Sequence, residues 1–221
     1  GVFAVLLLIG TTNLTSMAIV REREIGTLDQ LNVTPISRGE MILGKLLPYA
    51  LVGFVDVLLV IAVAVHRALE EFTGRGSVSI KWANVIVADD AKLCGVLMER
   101  TGDAVVIGIG VNVTTAPEVP GRRTTSLYDL GSAGCDAASV LDAIASCFSE
   151  ELLRWRTYGL EAIVRAWLGC AHAPGTPLTV HLPDGEAVAG AFDTLAPDGA
   201  LMLRLADGGS RAIHAGDVFL V

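Results

Sequence analysis

Three polar side chains stand in stretches of this chain that are otherwise apolar, and their types suit the handling of anions. Asn84 and Asn112 interrupt aliphatic runs, and Lys92 stands at the entrance of another. Asparagine is disfavoured in β-strands, so each one needs a reason. A positioned ammonium stabilises negative charge that grows in a transition state, and a neutral amide donates to anionic oxygens or to a nucleotide. Gly95, three residues after the lysine, lets a strand backbone approach a ligand closely.

The elements that must position these side chains are three short β-rich runs. They are Val78–Val87, Leu93–Glu99 and Ala104–Val113, and their β-branched content and length favour strands over helix. Asp89-Asp90 and Thr101-Gly102-Asp103 separate them and have the composition of hairpin turns. The sequence therefore predicts three strands joined by two tight turns, with the polar residues close to the turns.

Three linked motifs in this region carry a resemblance to a known family. The chain reads Lys81-Trp82-Ala83-Asn84-Val85, then Lys92-Leu93-Cys94-Gly95-Val96-Leu97, then Gly108-Ile109-Gly110-Val111-Asn112. This series resembles the centre of the biotin–protein ligase catalytic domain, whose pattern is Lys-Trp-Pro-Asn-Asp, Lys-Leu-x-Gly-Ile-Leu and Gly-Ile-Gly-x-Asn. Three motifs in order are a far more specific signal than any one of them.

The resemblance implies an activity and its site. That family joins biotin to ATP and then passes the biotinyl group to a lysine of an acceptor such as the biotin carboxyl carrier protein. Lys92 matches the catalytic lysine, with a solvated hairpin lysine as the alternative. Asn84 and Asn112 match asparagines of the adenylate side, and Gly95 lies beside the ligand. Trp82 offers an aromatic face to the nucleotide, although burial is an equally good interpretation. Biotin and ATP are the expected substrates, with Mg²⁺ on the ATP, and no metal site is expected in the protein.

Departures from the family pattern predict impaired activity. The family has an aspartate after the asparagine, which helps to hold the nucleotide and Mg²⁺; either Val85 replaces it here or one residue has been lost, and Ala83 replaces a proline. The Ser-Thr-Asn strand, the Gln-Thr segment and the Gly-Arg-Gly-Arg biotin loop are expected before residue 62, where other sequence stands. Gly74-Arg75-Gly76-Ser77 superficially resembles that loop, but its position predicts a helix cap and a turn. An adenylate without the loop would be open to water.

Residues 1–61 have a different character. Two apolar runs, Gly1–Val20 and Leu47–Val65, are each near the ~20 residues that span a bilayer. The first part of the chain resembles type-2 ABC-exporter permeases in three elements, Ile19–Leu31, Val33-Thr34-Pro35 and Gly44–Tyr49. In that family the segment that contains these elements lies on the cytoplasmic side and faces the ATPase subunit. Membrane contact through residues 1–20 and 47–65 is therefore expected.

The second apolar run has an alternative interpretation, as a buried helix of a soluble domain. Asp56 interrupts it, and a carboxylate is costly in the middle of a membrane. The two resemblances meet near Ile61, yet the hydrophobic period continues across this point. We therefore predict one continuous helix over Leu47–Phe72, which ends at Gly74.

The second half of the chain predicts two helices and a small all-β domain. Apolar residues at three- and four-residue steps predict helices over Asp136–Tyr158 and Leu160–Leu168. After Pro174-Gly175, four short runs separated by Asp-Gly turns predict a small barrel. Gly216-Asp217-Val218 resembles the ligase family's C-terminal barrel.

The predicted organisation is thus α/β (α+β). It comprises an apolar, permease-like helical segment (1–61), a truncated ligase catalytic domain with a mixed sheet of the class II synthetase-like type (62–173), and an SH3-like β-barrel (174–221). The ligase part is expected in the cytoplasm, and membrane association through residues 1–65 is a further expectation.

Composition excludes some functions. The formal charge of −8 disfavours nonspecific nucleic-acid binding, and no helix-turn-helix precedes the ligase region. The four cysteines lack C-x-x-C spacing, which argues against a zinc site or a disulfide framework. Two other hypotheses stay open: a membrane component defined by residues 1–65, and a fusion of two unrelated sequences without a single function.

Overall fold

The computed structural model describes residues 38–101 and 104–220. The predictions on Gly1–Val20, on the elements Ile19–Leu31 and Val33-Thr34-Pro35, and on a turn at Gly102-Asp103 lie outside the described residues. Asp56–Met98, together with the chain from Ile107 onwards, forms one compact unit. This unit contains every residue of the candidate site, and the fold is a mixture of helices and sheets.

The first described element is a long helix, α1, which spans Arg38–Thr73 (36 residues) without interruption. It confirms the continuous helix predicted across the junction near Ile61. The helix ends at a glycine, since Gly74 has φ of 90° and its N–H donates to the carbonyl of Glu70 at 2.9 Å. The Gly74–Ser77 segment is thus a helix cap and turn, as predicted.

The middle of α1 is buried on all sides, which is the pattern of a core helix. Its buried side chains are Val57, Leu59, Val60, Ile61, Ala62, Val63, Ala64, Val65, Ala68 and Leu69. Within residues 38–101 and 104–220, no helix combines the length and the apolar character that crossing a bilayer requires. The burial from Val57 to Val65 matches the alternative interpretation of this run as a buried helix, and the predicted membrane span has no support.

The first sheet contains β1 (Ser79–Lys81), β2 (Val85–Ala88), β3 (Ala91–Thr101) and β4 (Ala104–Val111), hydrogen-bonded in chain order. The β1–β2 and β2–β3 pairs are antiparallel. The sheet was predicted to combine parallel and antiparallel strands, but neither of these two ladders is parallel. Parallel pairing occurs in isolated bridges, such as the one between Lys92 and Thr124.

The prediction of one strand over Val78–Val87 is wrong. The run folds into the β1–β2 hairpin, in which Lys81 pairs with Val85 and residues 82–84 form the turn. Asn84 leaves the strand path because its backbone carbonyl accepts from the N–H of Val96 at 3.0 Å and its side chain bonds to the same residue. Apolar, β-branched residues stand on both sides of the turn, so the composition conceals it.

Two helices follow, α2 (Ala137–Tyr158) and α3 (Leu160–Cys170). Asp136 caps α2, since its carboxylate accepts the N–H of Ser139 at 2.8 Å. Both helices match the predicted segments. Glu151 of α2 is fully buried and is neutralised by Arg67 of α1 and by Arg154, the latter at 3.2 Å.

The second sheet is antiparallel throughout its ladders and runs in the order β8-β7-β6-β5-β9. Its strands are β5 (Pro177–His181), β6 (Ala187–Leu195), β7 (Leu201–Arg204), β8 (Ser210–Ile213) and β9 (Asp217–Leu220). A register shift between Phe192 and Thr194 bends β6. The all-β character predicted for residues 174–221 is confirmed, and closure into a barrel stays a prediction.

Candidate active site

The backbone of Lys92 is held on both sides by the segment that follows β4. Its N–H donates to the carbonyl of Arg123 at 2.9 Å, and its carbonyl accepts from the N–H of Thr125 at 3.0 Å. The Asn112 amide also donates to that carbonyl, at 3.3 Å. The lysine is therefore anchored at the second residue of β3, where its main chain has little freedom to move.

The turn before the lysine is fixed as well. Asp89 and Asp90 both lie in the left-handed region, with φ of 45° and 63°. Aspartate tolerates this region better than most residues, because its short side chain bonds locally. The guanidinium of Arg123 donates to the Asp89 carbonyl at 2.9 Å. The predicted hairpin turn at Asp89-Asp90 is thereby confirmed, and it is tied to the same segment that holds Lys92.

The side chain of Lys92 folds back over Gly95. A Cβ atom added to Gly95 would lie 3.2 Å from both Cε and Nζ of the lysine. Gly95 was predicted to allow close approach of a ligand, and what approaches it here is the lysine itself. The missing side chain at position 95 therefore sets where the ammonium rests.

The two asparagines use their amide donors on the protein backbone. Asn84 Nδ2 donates to the Val96 carbonyl at 2.6 Å, and Asn112 Nδ2 donates to the Thr125 carbonyl at 2.9 Å in addition to that of Lys92. Asn112 thereby uses both of its amide N–H groups, whereas Asn84 uses one, so donation from the second N–H of Asn84 to an anionic oxygen or to the nucleotide stays a prediction. Each amide keeps its carbonyl oxygen, a hydrogen-bond acceptor, for another partner.

Trp82 is directed at the second sheet. Its indole N–H donates to the carbonyl of Gly199 at 3.1 Å, and the residue is half-buried. This geometry favours the packing interpretation of Trp82 over nucleotide contact. Its partner, 117 residues further along the chain, gave no signal in the local sequence.

A flat, open face surrounds the lysine. Gly108 and Gly110 are exposed, and Leu97 is 70 % exposed. A Cβ on Gly108 would lie 3.8 Å from the Leu97 carbonyl, and one on Gly110 would lie 3.9 Å from that of Gly95. These residues are therefore neighbours on one face of β3 and β4. Sequence reasoning did not include Leu97, Gly108 and Gly110 among the site residues, although the G-x-G alternation signals a face without side chains.

Cationic side chains gather at the lysine end of this sheet, together with the carboxylates of Asp90 and Asp217. Burial lowers the pKa of Lys81, and the charges of Arg122 and Lys92 lower it further. On the opposite side of β3, burial raises the pKa of the Cys94 thiol to about 12, so this cysteine is a core residue and not a nucleophile. The arrangement suits an anion that meets Lys92 while an apolar chain lies along the glycines.

Similarities to known families divide the chain into overlapping parts. The model of the biotin/lipoate A/B protein ligase family matches residues 50–169, and that of the biotin protein ligase C-terminal domain matches residues 177–221. The ABC-2 type transporter family matches residues 1–70. Residues 50–70 belong to both matches and lie within the uninterrupted helix α1.

Curated relatives point to the same family. A biotin–[acetyl-CoA-carboxylase] ligase of Paracoccus denitrificans is 33 % identical over 172 residues, which covers 72 % of this chain and 70 % of the relative. The corresponding ligase of Mycobacterium tuberculosis is 32 % identical over 63 % of this chain, which spans 52 % of that relative.

Solved structures share the fold. The apo biotin protein ligase of Aquifex aeolicus superposes with a TM-score of 0.67 at 24 % identity, covering 76 % of both chains. The same enzyme in complex with biotin and ATP gives a TM-score of 0.66 over 72 % of its length. With the family match across more than half of its residues, the chain belongs to the biotin/lipoate A/B protein ligase family.

Proposed function

We propose that the chain is a biotin–protein ligase, which activates biotin with ATP and transfers the biotinyl group to a lysine of a carboxyl carrier protein. The observation that carries the proposal is the Lys92 ammonium, which rests over Gly95 beside an open face of the sheet. The Paracoccus and Mycobacterium relatives bear the name of this activity, and the Aquifex enzyme is known with biotin and ATP bound.

Activation begins when a carboxylate oxygen of biotin attacks the α-phosphorus of ATP. A bond forms between the acyl oxygen and phosphorus, the bond to the bridging oxygen breaks, and pyrophosphate leaves. Two anions must approach each other, and the Lys92 ammonium lowers the cost through its charge. Because its backbone is fixed by Arg123 and Thr125, the lysine is positioned before the substrates arrive.

Transfer follows when the neutral amine of the acceptor lysine attacks the acyl carbon of the adenylate. The bond to the phosphate oxygen breaks, AMP leaves with both electrons, and the amine gives up a proton. The Lys92 ammonium is again close to the phosphate, where it stabilises the negative charge that develops on the departing AMP. The open face of β3 and β4, with Leu97, Gly108 and Gly110, supports this step because an apolar acyl chain can lie flat against it.

The nucleotide end of the site is proposed to lie at Asn84 and Asn112. Backbone carbonyls engage both amide N–H groups of Asn112 and one of Asn84, so the two amide oxygens are proposed to accept from a donor such as the exocyclic amine of adenine, and the second N–H of Asn84 to donate to the nucleotide. Mg²⁺ arrives as part of the MgATP substrate. Val85 offers no carboxylate to it, and within the described ranges no three acidic, His or Cys side chains group as a metal site.

The proposed organisation keeps the predicted boundaries, with residues 62–173 as the catalytic part and 174–221 as the smaller β domain. ATP and a carboxyl carrier protein place the proposed reaction in the cytoplasm. The acceptor is proposed to be the biotin carboxyl carrier protein, in line with the names of the relatives.

The experiment that tests the proposal is biotin-dependent release of pyrophosphate by the full chain. We expect Lys92→Ala to lower the rate by about 10²- to 10³-fold, the range for removing one preorganised electrostatic contact. Arg211→Ala, which removes an exposed arginine from an ion pair with Glu186 in the second sheet, is the matched control. A wild-type rate independent of biotin, or a fully active Lys92→Ala variant, would exclude the proposal.

The predicted impairment needs its own measurement, because it concerns retention of the adenylate and not its formation. Quenched reactions resolve biotinyl-adenylate free in solution from biotin bound to the acceptor. If the intermediate is poorly shielded, most of it appears in solution and hydrolyses. Quantitative transfer to a carrier domain, with little free adenylate, would show that the site retains its intermediate.

A further inference from the structure

One aromatic ring at the end of the second sheet is surrounded by cationic side chains. The guanidinium carbon of Arg122 lies 5.4 Å from the centre of the Phe219 ring, and Lys81 Nζ lies 5.9 Å from it. The ring is half-buried, and His181 meets it edge-on at 5.0 Å. Both cation distances fall within the range in which a ring face attracts a positive charge.

The same strand holds Arg122 through a second contact. Asp217, two residues before Phe219 on β9, accepts a hydrogen bond from the Arg122 guanidinium at 3.3 Å. Both partners of this ion pair are exposed, so it adds little by itself. Together the ring and the carboxylate fix the direction of the arginine.

Arg122 is one covalent step from the support of Lys92. Its neighbour Arg123 supplies the carbonyl that accepts the Lys92 N–H at 2.9 Å. The segment is closed on itself, because the Arg122 N–H donates to the Val119 carbonyl at 3.1 Å and the Thr124 hydroxyl donates to that of Pro117 at 2.7 Å. Because these bonds restrain the segment, a displacement of Arg122 also displaces the main chain that supports Lys92.

We propose that Phe219 is a positioning residue, which holds Arg122 and thereby fixes the backbone of Lys92 from the second sheet. The catalytic consequence rests on the proposed ligase function, whereas the mechanical coupling does not. The sheet that supplies Phe219 thus takes part in placing the ammonium, although Phe219 is not required to contact substrate.

The experiment measures amide hydrogen exchange in the full chain at residues 92 and 125, whose N–H groups form the two bonds that hold the lysine. We expect Phe219→Ala to accelerate exchange there by about two- to fivefold, the change that corresponds to loss of a partly exposed cation–π contact. Phe219→Tyr keeps the ring face and is expected to restore slow exchange. Arg211→Ala, an arginine removed elsewhere in the same sheet, is expected to leave both amides unchanged.

A second variant separates coupling from unfolding of the sheet. Arg122→Gln alters an exposed side chain, so it keeps the fold while it removes the cation. Faster exchange at 92 and 125 with an unchanged β5–β6 ladder supports the proposal. Unchanged exchange at both amides in Phe219→Ala and in Arg122→Gln overturns it.

Turnover supplies the catalytic readout. We expect kcat for pyrophosphate release to fall in both variants while KM for biotin stays constant, since ground-state binding is untouched. If exchange responds but the wild-type chain shows no biotin-dependent turnover, the ligase function has failed and the coupling stands. If turnover is normal in the wild type and in both variants, the positioning role is refuted and the ligase function stands.

Discussion

Replacement of Gly95 by alanine tests whether Lys92 acts from the position it occupies. The new methyl group would lie 3.2 Å from Cε and Nζ of the lysine, closer than the ~3.5–4.0 Å of a relaxed contact between carbon atoms. The end of a lysine side chain is flexible, so it would move by about 0.5 Å and the strand would stay in place. A misplacement of about 1 Å can cost about a hundredfold, so we expect kcat to fall by roughly tenfold, or about 1.4 kcal/mol.

We expect Gly95→Ala to lose activity without losing stability. Gly95 lies outside the left-handed region, so alanine fits its backbone. Alanine also restricts the unfolded chain, which raises the free energy of unfolding by about 0.4–1 kcal/mol. Denaturant unfolding and pyrophosphate release on the same preparation measure both quantities.

Gly169→Ala is the matched control, because a methyl group there has no neighbour within 4 Å and lies in α3, outside the site. We expect it to gain stability without losing activity. The reasoning is refuted if Gly95→Ala keeps full activity, or if its activity falls only in proportion to a loss of folded protein.

Three further substitutions have outcomes that the structure defines. Asn112→Ala removes the donor to the Thr125 carbonyl and should cost about 1–2 kcal/mol of unfolding free energy, with a larger loss of turnover; an unchanged denaturation midpoint would contradict this. Burial raises the pKa of Asp56 to about 7, and its Oδ1 has no hydrogen-bond partner. Ionisation of Asp56 therefore lowers the free energy of unfolding as the pH rises from about 4 through 7. Asp56→Asn should therefore gain stability relative to the wild type across that window, by at most about 4 kcal/mol, and a pH-independent difference would refute the assignment. Trp82→Phe loses the bond to Gly199 and should cost about 1 kcal/mol in urea unfolding while KM for ATP stays constant, whereas a raised KM would show nucleotide contact.

The sequence was informative where local patterns decide the structure. Helix α2 and its cap at Asp136 follow from a three- and four-residue period and one side-chain bond. The continuity of α1 follows from a hydrophobic period that continues across the junction near Ile61, and its end at Gly74 from the need for a residue at positive φ. The turns at Asp89-Asp90 and in the second sheet follow from residues that tolerate the left-handed region or bond locally.

The parts that sequence reasoning missed depend on contacts between distant residues. The turn at residues 82–84 was concealed because apolar, β-branched residues stand on both sides of it. The sequence also does not show that backbone carbonyls engage one amide N–H of Asn84 and both of Asn112. The contact of Arg122 with Phe219 joins residues almost 100 positions apart, and no local period encodes it.

The most direct test of the central claim is a calorimetric titration of the full chain with a non-hydrolysable analogue of biotinyl-adenylate. The claim is that the ammonium of Lys92 faces the junction of acyl group and phosphate. We predict saturable binding with one site per chain, weakened about a hundredfold in Lys92→Ala and unchanged in Arg211→Ala. Equal affinity for the wild type and Lys92→Ala, or no binding by a folded wild-type chain, would contradict the account.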